Sequence, residues 1–422
     1  MHQLISRRDL LRVGVVGAGA ALAGCAARPR DGLRWWGLGS EGENAPKLLP
    51  RFQAATGIAV EVQSLPYTGA HEKLLSAHVG GSLPDVLLLP NIWLPEMAML
   101  GAVVPVPPAH RPALLGGQFP ALARAVHVGG APMAAPWLAE SWVQYYRRDL
   151  IADVGLDAPP ARWDDWTRMA DAYKRRHPDR FVTLHLLNWP EPLINFGAQA
   201  GEPLLRDHGT RGNLSSPGFR AALAFYKSIF DRGFSPMVTG VEAGDTILDF
   251  CRGRYLILPA TSETMGQLRR PTYAIPRDRW STAETPGPTG REGVWANGLS
   301  LAVTRACRRP EQAWALIRFL CEPPAQLQFH GLTGDLPSRP AAWAAPALSR
   351  SPPEQAFARA IGRAVVGQDV PESWRMLTDI QLVAEHMVRG EFGVDAAAAE
   401  MDRRVDAILA KRRWLLDKGL IR

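Results

Sequence analysis

Along this chain the spacing of apolar positions changes repeatedly between two periods, and the changes mark out its elements. Leu33-Arg34-Trp35-Trp36 predicts a first strand, and Ala45 to Thr56 predicts a helix that Gly57 ends. Between them, Gly37 to Asn44 is predicted as a turn. Ile58-Ala59-Val60-Glu61-Val62 alternates as a second strand, followed by a helix through His71 to Val79. Pro84-Asp85-Val86-Leu87-Leu88-Leu89 is a continuous apolar run, the pattern of a strand covered on both faces. Strands that alternate with helices in this way predict parallel βαβ units. Such sheets bind ligands beyond the carboxyl ends of their strands, here at Gly37 to Asn44, Pro66 to Gly69 and Pro90 to Trp93.

The second half is richer in helix signals. A helix starts near Trp163-Asp164-Asp165-Trp166, with acidic residues in its first turn. Another starts at Ser215-Ser216-Pro217, buries Phe219, Leu223, Tyr226 and Phe230, and stops at Gly233. Short strands are predicted at Arg254 to Leu258 and Leu299 to Val303, with a loop from Thr282 to Gly293. A helix from Pro310 to Cys321 follows, and Met401, Val405 and Ile408 form one stripe near the end.

The first residues follow a different logic. Arg7-Arg8 precedes an apolar run from Val13 to Leu22, which ends at Leu22-Ala23-Gly24-Cys25. A positive segment, a short apolar segment and small residues before a break make a secretory signal. The run is far shorter than the roughly 20 residues that cross a bilayer. Ser6-Arg7-Arg8-Asp9-Leu10-Leu11 resembles a twin-arginine export signal, and Leu-Ala-Gly-Cys resembles a bacterial lipobox, in which Cys25 is lipidated and becomes the first mature residue. Residues 1–24 would be removed and 25–30 would form a short tether.

Composition narrows the function. With 46% hydrophobic and 21% charged residues the chain is globular. The formal charge is +7, of which residues 1–24 carry +2, so +7 less +2 leaves +5. The basic residues are scattered and not interleaved with aromatics, which argues against a nucleic-acid surface. Beyond Cys25 only Cys251, Cys307 and Cys321 remain, an odd number, and buried free thiols are expected. The 14 tryptophans matter more, because Trp93, Trp137, Trp142, Trp189 and Trp295 sit in loop-like stretches, where a flat apolar ring usually covers something.

The order of these pieces resembles the extracellular solute-binding proteins of bacterial ABC importers, in the family that takes sugars and oligosaccharides. The residues that carry the resemblance are Pro84-Asp85-Val86, Tyr145 to Leu150 with Gly155-Leu156, Phe250 to Arg254, Trp295 to Val303, Pro310 to Trp314 and Leu336 to Arg339. It covers nearly the whole chain beyond residue 25. The resemblance implies an α/β, two-lobed periplasmic-binding-protein fold of the type II kind, with the ligand in a cleft between lobes joined by crossover strands. Lobe one would be 31–138 with 298–339, and lobe two 139–297 with 340–422. It further implies a lipid-anchored monomer of the cell envelope that hands its ligand to the transmembrane subunits of a permease, with no cofactor and no resident metal.

A sugar needs acceptors and donors for its hydroxyls and ring faces for its C–H surfaces. Glu41, Glu43, Asn44, Asn91, Trp93, Glu140 and Trp142 are candidates from lobe one and the first crossing. Trp189, Glu263, Trp295, Asn297 and Arg363 are candidates from lobe two and the second. The resemblance implies that Arg363 stands where α-diglucoside binders carry a ligand-contacting Arg, and that Asn91 and Glu140 stand where they often have Asp. An α-linked disaccharide or short oligosaccharide of the maltose or trehalose type is the expected ligand; glycerol phosphodiesters and polyols are the alternative.

Enzyme readings find less support. Gly37-Leu38-Gly39-Ser40 is not a nucleophile elbow, and His71-Glu72 is followed by Leu75 where a zinc motif needs His. Glu41, Glu43 and Glu140 would suit a glycosidase pair, but a binder also sets carboxylates on sugar hydroxyls. Tyr145-Tyr146 suggests a ferric-ion binder, against the simpler reading of a strand whose two rings face opposite ways.

Overall fold

The computed structural model describes residues 32–421 apart from 274, 296, 368 and 369 and the side chain of Asn297. The twin-arginine segment and Cys25 lie outside them. Strand β1 (Gly32–Leu38) runs into a short helix α1 (Gly39–Asn44), and α2 (Leu49–Thr56) follows. Strand β2 (Ala59–Leu65), helix α3 (Ala70–Val79) and strand β3 (Val86–Pro90) complete two parallel crossovers, with β1 paired to both β2 and β3. All of β3 is buried, as its unbroken apolar run requires of a central strand, whereas β2 is half-exposed at the sheet edge.

Strand β4 (Ala135–Glu140) leaves this sheet and β5 (Val143–Arg147) enters a second one. Helices α3 and α4 are separated by this passage, α4 being Trp163–Arg176; α5 (Glu191–Gln199) and α6 (Pro217–Asp231) follow. The Ser216 side chain caps α6 by accepting from the Phe219 N–H, and Pro217 fits its first turn. Strand β6 (Ile257–Ala260), helix α7 (Glu263–Leu268) and strand β7 (Trp280–Glu284) come next, with β6 and β7 flanking β5 antiparallel. The chain returns through β8 (Asn297–Val303), which lies antiparallel between β3 and β4. After helices α8 (Pro310–Leu320) and α9 (Pro323–Thr333), strand β9 (Leu336–Pro337) closes the larger sheet in the order β9-β4-β8-β3-β1-β2. Helices α10 (Pro352–Gly362), α11 (Ser373–Val388), α12 (Val394–Ile408) and α13 (Ala410–Asp417) follow. Helix α10 packs on β7, and α11 and α12 pack on α6.

The result is an α/β molecule of two lobes, one built on the six-stranded sheet and one on the three-stranded sheet. The chain passes between them where β4 gives way to β5, again where β7 gives way to β8, and a third time between β9 and α10. Three expectations need correction. Residues 39–44 are helical rather than a turn, because glycines at 37, 39 and 42 let the first helical turn lie directly on β2. A Cβ on Gly42 would stand 2.6 Å from the Ser64 hydroxyl oxygen. The stretch expected to be loop from Thr282 opens inside a strand, since β7 finds its partner in β5. The strand expected at 254–258 lies at Ile257–Ala260.

The three described cysteines are free, and burial pushes the Cys321 thiol up to about 12. Tyr145 and Tyr146 point to opposite faces of β5 and join different hydrophobic clusters, so their phenols do not converge. The Tyr145 hydroxyl donates to the Thr261 carbonyl at 2.8 Å. No described helix is long and apolar enough to cross a membrane.

Candidate functional site

Between the two sheets lies a cavity of about 720 Å³. Its lobe-one wall is made where the sequence pattern places ligands, at the carboxyl ends of β1, β2 and β3. Glu41 stands on α1, just past β1. Gly39 has φ +40, and a Cβ there would press to 2.9 Å against the Tyr67 ring. That close approach brings the Tyr67 hydroxyl to Glu41 Oε1, to which it donates at 3.1 Å. Glu41 is 2% exposed, and its Oε2 has no partner.

An aromatic group follows along the same wall. Trp93, just past β3, meets the ring of His71 at 5.1 Å and the ring of Trp374, edge on, at 5.8 Å. His71 Nε2 is held at 2.7 Å from Glu96 Oε2, which fixes the imidazole. Trp374 comes from the first turn of α11, so a helix seated on lobe two sends a ring across to lobe one. Glu140 and Trp142 line the cavity from the crossing between β4 and β5. Trp142 meets Trp189 edge on at 5.7 Å, and Trp189 is 45% exposed at the mouth. Glu191 on α5 and Glu263 on α7 complete the polar lining from lobe two. Among the described residues that line the cavity there is no lysine or arginine.

The electrostatics follow from that lining. Burial pushes the Glu140 carboxyl up to about 8, helped by the charges of Asp335, Glu263 and Glu191. Burial pushes Asp335, behind the wall, up to about 7, against a hydrogen bond from Thr333 and with help from Glu263. Glu41 is raised well above its ordinary range, first by burial and next by Asp335. Burial raises Glu191 as well. The pocket is therefore a low-dielectric space crowded with carboxyl groups, several of which hold protons near neutral pH.

Of the residues expected at the site, Glu41, Trp93, Glu140, Trp142, Trp189 and Glu263 meet around this one cavity. The others stand elsewhere. Glu43 is exposed on the outer side of α1, and Asn44 donates to the Ser40 carbonyl within its own helix. Asn91 is buried and accepts from the Ser300 hydroxyl at 2.6 Å, which ties β3 to β8. Trp295 lines a separate small cavity of about 60 Å³ with Ile92, Val365 and Leu377. Its backbone N–H donates to Asn195. Arg363, expected across the cleft, is ion-paired to Glu284 in lobe two, a partner far away in sequence that no local pattern announces. For Asn297 the backbone alone is described; it pairs with Glu140 across β8 and β4.

Tyr67, His71, Glu191 and Trp374 line the cavity without having been expected there. Tyr67 lies in the Pro66-to-Gly69 loop already marked as a strand end, so its signal was present. Trp374 gave none, because only the tertiary packing of α11 brings it to the cleft.

Comparison with known proteins accords with this geometry. The model of the bacterial extracellular solute-binding protein family matches residues 47–354, more than half of the chain. The chain belongs to that family. The sugar-binding protein MalE of the phytopathogen Xanthomonas citri is 34% identical, with a TM-score of 0.84 over 91% of this chain and 99% of that one. The maltose-bound T. maritima MalE3 shares the fold at a TM-score of 0.79 and 23% identity, covering 89% of this chain and 99% of that one. The diacetylchitobiose binding protein DasA of Streptomyces coelicolor is 22% identical over 329 residues, 73% of this chain and 76% of that protein.

Proposed function

We propose that this solute-binding protein captures a sugar for an ABC importer, an α-linked disaccharide or short oligosaccharide of the maltose or trehalose type. The observation that carries the reading is the cavity itself. Trp93, Trp142, Trp189, Trp374 and Tyr67 offer ring faces, and Glu41, Glu140 and Glu263 offer acceptors, in one space of about 720 Å³. Ring faces cover the C–H surfaces of a pyranose, and carboxylates take its hydroxyl protons. The likeness to a sugar-binding protein at 34% identity supports it. Glycerol phosphodiesters fit less well, because a phosphate calls for Arg or Lys and none of the described residues that line the cavity is either. Hydrolysis is not needed to account for the carboxylates, since hydroxyl recognition uses the same groups.

In this reading residues 31–138 with 298–339 form one lobe and 139–297 with 340–422 the other, and the ligand draws them together. The protein is exported by the twin-arginine route, held in the envelope by a lipid on Cys25, and presents its ligand as a monomer to the permease. The test is a thermal-shift screen over disaccharides, polyols and glycerophosphodiesters. A true ligand raises stability by about 2.7 kcal/mol at a hundredfold excess over Kd. A screen in which only non-sugars shift the transition overturns the sugar reading. Cys25→Ser abolishes lipid labelling if the anchor is as proposed, and persistent labelling removes it.

A further inference from the structure

The whole chain is cationic, at +7, yet among the described residues the cavity is lined by carboxylates without a lysine or arginine. Glu41, Glu140, Glu191 and Glu263 face one space, and Asp335 lies close behind Glu41 and Glu140. Elsewhere the buried carboxylates have cations. Glu284 has Arg291, Arg359 and Arg363, and Glu354 has Arg269. Glu41, which lines the cavity, has a buried Oε2 without a hydrogen-bond partner, and Asp335 Oδ2, outside the lining, is likewise buried and unpartnered. A neutral sugar offers these groups hydroxyl protons but no charge. A protonated amine offers three donors and a full positive charge, and the residues around the cavity include Trp93, Trp142 and Tyr67, whose ring types attract cations.

We propose that the preferred occupant of this cavity is an oligosaccharide carrying a protonated amine, with the charge seated among Glu41, Glu140 and Glu263. This rests on the sugar reading and narrows it. The amine takes the place of the protons that neutralise these carboxyl groups in the empty cleft, and the aromatic rings pack against the sugar. His71 is spoken for by Glu96 and does not compete for the carboxylates.

The test is calorimetric titration of the full exported chain at neutral pH with matched probes. One set is trehalose against its monoamino derivatives bearing the amine at carbon 2, 4 or 6. The other is chitobiose with free amines against its N,N′-diacetyl form. At least one amine should bind roughly tenfold or more tightly than its neutral counterpart. Raising the salt from about 20 to about 500 mM should shrink that advantage, because the attraction is between charges. Glu41→Gln should reduce the advantage by roughly threefold or more while changing the neutral probe less. Glu263→Gln, on the other lobe and half-buried, should do the same and serves if the Glu41 variant does not fold. Glu43→Gln, exposed and off the cavity, should leave the advantage intact. Neutral probes that bind as well as the amines in both sets overturn the proposal and leave the sugar reading standing. Binding by no member of either set also overturns it, and the wider sugar screen then decides the reading beneath.

Discussion

Two groups of buried carboxylates in this protein have opposite surroundings. Glu284, at the end of β7, is 3% exposed and faces Arg359 at 2.8 Å, Arg291 at 3.7 Å and Arg363. Glu354, on α10, is 1% exposed and accepts from Arg269. Glu41 and Asp335 are as deeply buried, at 2% and 4%, and have no arginine. Glu41 receives one tyrosine hydroxyl, and the Asp335 backbone N–H donates to the Thr333 hydroxyl oxygen. Burying an ion without a counter-ion is costly, so the protein neutralises the first group with guanidinium and the second with protons. The first arrangement is complete without a ligand and ties β7 to α10. The second is incomplete, with Glu41 Oε2 and Asp335 Oδ2 buried without a partner at and behind the wall of the cavity between the lobes.

The largest test of this contrast removes the completed pair. Glu284→Ala leaves Arg291, Arg359 and Arg363 converging without an anion. Breaking a buried pair costs about 3–5 kcal/mol, and because these arginines reach solvent the loss here should be about 2–3 kcal/mol. Denaturant unfolding measures it, and sugar affinity should be nearly unchanged. A variant as stable as the parent would show that the three arginines do no structural work.

The second test makes the smaller chemical change on the other side. Glu140→Gln removes an ionisable group that burial already disfavours as an ion. The unliganded protein should be at least as stable as the parent, while ligand affinity falls by about 0.5–1.5 kcal/mol, the worth of a hydrogen bond between neutral partners. Calorimetry and thermal unfolding together check it. A loss of stability with unchanged affinity would move Glu140 into the structural group with Glu284.

The same contrast explains what could be read before the structure. Glu41 and Trp93 follow strands whose apolar patterns are plain, and the rule that ligands bind past strand ends places both, whereas Glu140 was placed by the crossing that the resemblance implies. Most of the sheet was legible for the same reason, since β3 is an unbroken apolar run and β2 an alternating one. Arg363 was not legible. In sequence it is a free arginine after α10, and only the packing of α10 against β7 gives it Glu284. Asn91 also sits past a strand end, yet its side chain turns inward to Ser300, a choice set by the antiparallel return of β8. Trp295 and Trp374 exchange roles in this way: the loop tryptophan is packed into a wall, and the helical one reaches the cleft. Helical spacing locates a ring on its own helix but says nothing about which lobe that helix will touch.

The smallest effect concerns protons. The groups facing Glu140 are Asp335, Glu263 and Glu191, and no described cation lines the cavity with them. Glu140 is raised to about 8 and Asp335 to about 7, so the folded protein holds protons there that an unfolded chain would release near its ordinary carboxylate pKa. A raised carboxyl favours the fold fully below its unfolded pKa, and that favour is lost as pH rises through the folded value. Unliganded stability should therefore decline from about pH 5 to about pH 8 through these groups, the opposite of what an arginine-paired carboxylate does. Thermal unfolding across that range measures the slope. In Glu140→Gln the slope should be shallower, because one of the titrating groups is gone. A slope that is the same in the parent and in Glu140→Gln would mean that Glu140 is ionised in the empty cleft, and that its charge is balanced by something other than a proton.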